Sequence, residues 1–130
     1  MAIEQDILSA IKGQPNIRLA LLFGSISRAE GRADSDLDIA VAGQRALTAE
    51  EKIGLIEKLA QVVGRPVDLI DLQSAGGPIL SQVLTTGRLI YCTDRVLYAE
   101  LIKKMLFDQA DMMPYRERIL AERRRAWINA

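Results

Sequence analysis

Leu22-Phe23-Gly24-Ser25, a ten-residue spacer, and then Asp36-Leu37-Asp38-Ile39-Ala40-Val41 form the stretch that decides how this chain folds. Upstream, Ile17-Arg18-Leu19-Ala20-Leu21-Leu22-Phe23 is an apolar run broken only by Arg18, which predicts a buried strand over 17–23. Gly24 and Ser25 follow at once. Residues 26–30 suit one short helix, and Gly31 suits a turn. Asp36 to Ala42 then reads as a second strand, near 37–42, because its core is rich in β-formers.

Strand side chains alternate faces, so Asp36 and Asp38 share one face while Leu37 and Ile39 take the other. Two carboxylates within about 7 Å, at ~3.3 Å rise per residue, repel each other unless a cation sits between them. A hard, oxygen-seeking ion such as Mg²⁺ suits them, since it completes its shell with water and substrate phosphates. Two such ions can clamp the attacking and leaving oxygens of an in-line phosphoryl displacement. Asp34 and Ser35 read instead as a polar turn opening the strand. A calcium loop would also begin D-x-D-x-D, but it needs Gly at its sixth position and Glu at its twelfth. Ile39 and Arg45 stand there, which discards that reading.

The Gly24-Ser25 element offers a place for phosphate. Glycine lets the backbone approach a ligand closely. The first amides of a helix have no internal partner and attract anions. Ser25 adds a hydroxyl and Arg28 a cation. The sequence holds neither a Walker loop nor a dinucleotide fingerprint.

A third carboxylate comes from Arg65-Pro66-Val67-Asp68-Leu69-Ile70-Asp71-Leu72, a predicted strand near 67–71. Beside the Asp36/Asp38 strand, Asp68 would serve as a third ligand or as the base that takes a proton from an attacking hydroxyl. The competing reading of Asp68 is an ion pair with Arg65 or Arg18. Asp71 has the opposite strand parity and reads as a strand-end turn residue.

The remaining elements follow from local signals. Ile3 to Lys12 is a predicted helix ending near Gly13, with Pro15 beyond. Thr48-x-x-Glu51 is a capping box that opens a helix through about Val63, with Ile53, Ile56, Leu59, Ala60 and Val63 at helical spacing. Gly76-Gly77-Pro78 reads as a turn and Pro78 to Leu84 as a helical turn, followed by a short strand over 89–91. Thr93 or Asp94 would cap a long helix whose apolar stripe is Val96, Leu97, Leu101, Ile102, Met105 and Leu106. Met112-Met113-Pro114 would bend or break it. The segment Tyr115 to Ala130 carries five arginines. It reads either as a solvated helix end or as a docking element with Tyr115, Ile119, Leu120 and Trp127 as anchors.

Composition bounds the function. The 130 residues fit one domain, and 49% hydrophobic residues suffice for a core. Seventeen basic and seventeen acidic residues balance, which argues against a tRNA or DNA acceptor and predicts no direct nucleic-acid binding. The chain has no histidine, so Ser-His-Asp chemistry, histidine zinc sites and histidine bases are excluded, and any base must be a carboxylate. The single cysteine, Cys92, reads as an inert core residue. No apolar run reaches the roughly 18 residues of a membrane span, and the acidic start lacks a secretory signal. These features lead us to expect a cytoplasmic protein.

Gly24-Ser25, the spacer with Arg28, Asp36-x-Asp38 and the later Asp68 together resemble the nucleotidyltransferase superfamily with a DNA polymerase β-like core. The spacer length and the wording Asp34-Ser35-Asp36-Leu37-Asp38 look most like its minimal nucleotidyltransferases (MNT), the antitoxin halves of HEPN/MNT toxin–antitoxin pairs. Met113 to Arg125 is similar to the tail of such antitoxins. The resemblance implies an α/β (α+β) fold: a small central mixed β-sheet flanked by helices, with a core over about 1–92 and a C-terminal helical extension over about 93–130. It implies Mg²⁺, as two ions, held by Asp36, Asp38 and Asp68, and ATP phosphates held by Gly24, Ser25 and Arg28. It implies AMP transfer from ATP to a tyrosine hydroxyl of a HEPN-type ribonuclease toxin, within a hetero-oligomer. Steric docking onto the toxin, or a small-molecule or RNA hydroxyl as acceptor, are the alternatives.

Overall fold

The computed structural model describes residues 2–24 and 36–108. Its elements are α1 (Ala2–Lys12), β1 (Leu19–Phe23), β2 (Leu37–Ala42), α2 (Ala49–Val63), β3 (Val67–Asp71), α3 (Gly77–Thr86), β4 (Arg88–Cys92) and α4 (95–108). Among the described residues the four strands form one sheet in the order β3-β2-β1-β4. β1 runs antiparallel to both β2 and β4, whereas β2 and β3 are parallel and are joined through α2. The sheet is therefore mixed, as expected. A parallel pair needs such a crossover, and a two-residue hairpin would not serve.

Strand parity sorts the core into two layers. Ala20, Leu22, Leu37, Ile39, Val41 and Leu69 face one side and are buried with Ile7 and Ile11 of α1 and Leu55 and Leu59 of α2. Leu19, Leu21, Ala40, Ala42 and Leu72 face the other, beneath Leu80 and Val83 of α3 and Leu97, Leu101 and Met105 of α4. Helices thus cover both faces. Burying apolar area at roughly 25 cal/mol per Å² is the main favourable contribution to such a sandwich.

The capping box at the start of α2 is complete. The Glu51 amide donates to Thr48 Oγ1 at 3.1 Å, and the Thr48 amide donates to Glu51 Oε1 at 3.0 Å. The side-chain hydrogen bond from Arg45 holds the Glu51 carboxyl down at about 2. The helix ends at Gly64 in the left-handed conformation, φ 67°. Thr48→Ala is expected to destabilise the chain by ~1 kcal/mol, read as a lower urea midpoint at constant slope.

Three expectations need correcting. Gly76-Gly77-Pro78 is not simply a turn: α3 starts at Gly77 with Pro78 in its first turn. Proline is well placed there, because its missing amide would have had no partner. On α2, Ile53 is 56% exposed, since the buried line runs through Leu55 and Leu59. Two residues at 3.6 per turn put Ile53 nearly opposite Leu55. On α4, Val96 is 68% and Leu106 55% exposed, and the buried line is Leu97, Leu101 and Met105.

Of the two candidate caps for α4, Asp94 is the one used. The Leu97 amide donates to Asp94 Oδ1 at 3.0 Å, and Arg18 donates to Asp94 Oδ2 at 3.1 Å. These contacts hold the Asp94 carboxyl below its usual range. Cys92 is half-buried against the second core layer. Several expectations lie outside the described residues. They are the helix over 26–30, the turns at Gly31 and at Asp34-Ser35, the break at Met112-Met113-Pro114, and the segment Tyr115 to Ala130. No described helix is long and apolar enough to cross a membrane.

Candidate active site

β1 and β2 bring Gly24 against Asp38. In the antiparallel register Phe23 pairs with Asp38. Gly24 then leaves the strand with φ 74°, a conformation that side-chain-bearing residues rarely adopt. A Cβ placed on Gly24 would meet Asp38 Oδ2 at 2.3 Å. The absent side chain is thus what leaves room for the Asp38 carboxylate.

On its other flank, Asp38 meets Asp68. β2 and β3 pair in parallel with Asp38 directly beside Asp68. Register partners share a face, so the two carboxylates are neighbours at one end of the sheet. Asp36 precedes β2 by one residue and is exposed. The Leu37 amide donates to Pro66 O at 2.8 Å, which ties this entry to the start of β3.

Electrostatics link the three acids. Burial pushes the Asp38 carboxyl above its usual 3.8, and the charges of Asp68 and Asp36 push it further. A raised carboxylate favours the folded state when protonated. Its contribution is fully present below the unfolded value near 3.8 and is lost as pH rises through the folded value. At neutral pH the acid cluster therefore works against stability, and a cation would relieve it.

Among the described residues no three of His, Cys, Asp and Glu converge closely enough to hold a metal ion by themselves. The donor set nevertheless suits Mg²⁺, which takes one or two carboxylates and fills its remaining positions with water and phosphate oxygens. Ser25 and Arg28, the other expected nucleotide contacts, lie outside the described residues.

Asp71 is built differently. It is 5% exposed and lies on the opposite face of β3. Its carboxylate accepts from the Leu47 amide at 2.7 Å, the Gln73 amide at 3.0 Å and Ser74 Oγ at 3.3 Å. It locks the segment before α2 to the end of β3, a long-range role that no local pattern announced. Asp71→Ala would strip the half-buried Leu47 and Gln73 amides of their acceptor and is expected to destabilise the chain by about 1–2 kcal/mol in chemical denaturation. Arg18, one suggested partner for Asp68, is engaged with Asp94 at the far end of β1.

A two-sided α/β sandwich with neighbouring acids on parallel strands, beside a glycine at a strand end, defines a nucleotidyl-transfer class of protein. The profile of the family described as polymerase beta, nucleotidyltransferase matches residues 5–96, and the chain belongs to that family. It is 37% identical over 93 residues to the protein adenylyltransferase MntA of Shewanella oneidensis, covering 71% of this chain and 67% of that one. Among solved structures it resembles a chain of a toxin–antitoxin complex with AMP-PNP, with a TM-score of 0.77 and 29% identity over 92% of this chain and 96% of that one. It also resembles a chain of the complex between the tri-AMPylated S. oneidensis HEPN toxin and its MNT antitoxin. There the TM-score is 0.72, with 28% identity over 92% and 94% of the two chains. The polymerase β-like fold expected from the motif is the fold observed.

Proposed function

We propose that this chain is a metal-dependent protein adenylyltransferase and antitoxin, which transfers AMP from ATP to a tyrosine hydroxyl of a HEPN-type ribonuclease. The observation that carries this reading is the placement of Asp38 against both Gly24 and Asp68 at one end of the sheet. The names of its relatives, an adenylyltransferase and a complex with an AMPylated toxin, give the reading its acceptor.

In this reading Asp36 and Asp38 hold Mg²⁺, with Asp68 as the third carboxylate. The bound ions supply charge neutralisation and alignment of the triphosphate. Gly24 and Ser25 bring backbone close to the phosphates, and Arg28 adds a positive charge. The tyrosine oxygen forms a bond to the α-phosphorus, the bond to the β-phosphate oxygen breaks, and pyrophosphate leaves. The hydroxyl proton passes to a carboxylate, a role this reading assigns to Asp68; the chain has no histidine to take it.

We place the reaction in the cytoplasm, within a hetero-oligomer of antitoxin and toxin, and assign docking to the segment Tyr115 to Ala130.

The test is intact-mass spectrometry of the co-purified partner after incubation with this chain, ATP and Mg²⁺. One or more added AMP units on the partner are expected. A stable complex without added mass would overturn transfer in favour of steric docking. Turnover on aminoglycosides or RNA 3′ ends without a partner would overturn the protein acceptor.

A further inference from the structure

We propose that Phe23 is a positioning residue for Asp38, filling the space on its β1 flank so that the carboxylate is held beside the Gly24 backbone, where the metal would bind. The inference rests on reading Asp38 as a metal ligand, as above.

Phe23 is the last residue of β1 and the cross-strand partner of Asp38. Partners in an antiparallel pair lie on one face with Cβ atoms about 4.5–5.5 Å apart. The row across three strands therefore reads Asp68, Asp38, Phe23. Asp38 has a second acid on one side and an aromatic ring on the other. The Gly24 backbone, lacking a side chain, lies against its Oδ2.

The ring is anchored. Phe23 is half-buried and packs against the core layer under α3 and α4. Such a ring can neither donate to nor accept from a carboxylate. What it can do is exclude water and occupy the space into which Asp38 would otherwise turn. Three neighbours thereby restrict Asp38: Phe23 by volume, Gly24 by close backbone approach, and Asp68 by charge. Restraint of this kind raises metal affinity because less freedom is lost on binding.

The test is Mn²⁺ titration of the purified chain with AMP-PNP, read as the Mn²⁺ concentration giving half of the metal-induced rise in Tm. Phe23→Ala is expected to raise that midpoint about 10-fold, the usual size for loss of a group that orients a ligand, and Phe23→Leu to stay within about 3-fold. A purely structural role would lower Tm equally at every Mn²⁺ concentration and leave the midpoint in place. Should Phe23→Ala fail to fold, Phe23→Val carries the test, with a midpoint shift of about 3-fold or more expected.

A wild-type midpoint in Phe23→Ala, or in Phe23→Val where that variant carries the test, overturns the proposal while Asp38 stands as a ligand. Asp38→Asn serves as the reference and is expected to abolish the Mn²⁺ response. A wild-type response in Asp38→Asn would overturn the ligand reading itself, and the role of Phe23 with it.

Discussion

Replacing Asp36 and Asp38 together by asparagine is expected to lower AMP transfer by at least about 10³-fold, because metal-borne charge stabilisation contributes several kcal/mol to the barrier and each 1.36 kcal/mol is a factor of ten. Asparagine keeps the shape of the side chains and removes their charge. Asp36 is exposed and Asp38 only half-buried, so no packing is lost. The Asp38 carboxyl is raised by its burial and by the neighbouring acids, so its ionised form opposes folding at neutral pH. The double variant should therefore unfold no earlier than wild type at pH 7, with a gain in Tm of about 1–3 °C after allowance for solvent screening. That gain should shrink as pH falls toward the ordinary value of 3.8, where the wild-type acids become protonated as well. Labelled ATP measures transfer, and thermal scans at two pH values measure stability. Retained transfer in the double variant would remove the metal-dependent reading. A large drop in Tm would mean that the acids hold the fold together and are not there for chemistry.

The second large effect is expected from Gly24→Ala. Two physical terms act there. An L-residue held near φ 74° costs about 1–2 kcal/mol. The new Cβ would also stand 2.3 Å from Asp38 Oδ2 and 3.2 Å from its Cγ, so the carboxylate must move. A displacement on the order of 1 Å in a reacting constellation lowers rate by about 10²-fold. Gly64→Ala separates the two terms. Gly64 has nearly the same φ, 67°, but nothing lies within 4 Å of a Cβ placed there. It ends α2, and no acid lies within 4 Å of that Cβ. Both variants should lose the stability that backbone strain costs, and only Gly24→Ala should also lose about 10²-fold in kcat/KM. Equal activity in the two would mean that Gly24 serves the turn alone.

Asp68 and Asp71 show how two similar residues three positions apart divide between chemistry and structure. Strand parity in the sequence already separates their faces. Which face meets the second acid depends on the strand beside β3. The parallel register with β2 sets Asp68 beside Asp38. It leaves Asp71 to accept three hydrogen bonds from Leu47, Gln73 and Ser74. The Leu47 contact spans 24 residues, beyond the reach of any pattern in the sequence.

Signals contained within a few residues are legible in the amino-acid sequence alone. The Thr48–Glu51 box, the Gly64 stop, the strands over 37–42 and 67–71 and the shared face of Asp36 and Asp38 all depend on local geometry. Helix faces are less legible, because apolar spacing marks several possible stripes. Only the packing partner selects Leu55 and Leu59 over Ile53, or Leu97 and Leu101 over Val96. The sequence by itself thus determined most of the elements, the caps of α2 and the residue types available for nucleotidyl transfer, through interactions spanning at most a helical turn. Tertiary structure alone decided the strand order β3-β2-β1-β4, the seating of Asp38 between Phe23 and Asp68, and the closeness of Gly24 to its carboxylate. Those contacts join residues distant in the chain, and their register is set by burying both faces of one sheet at once.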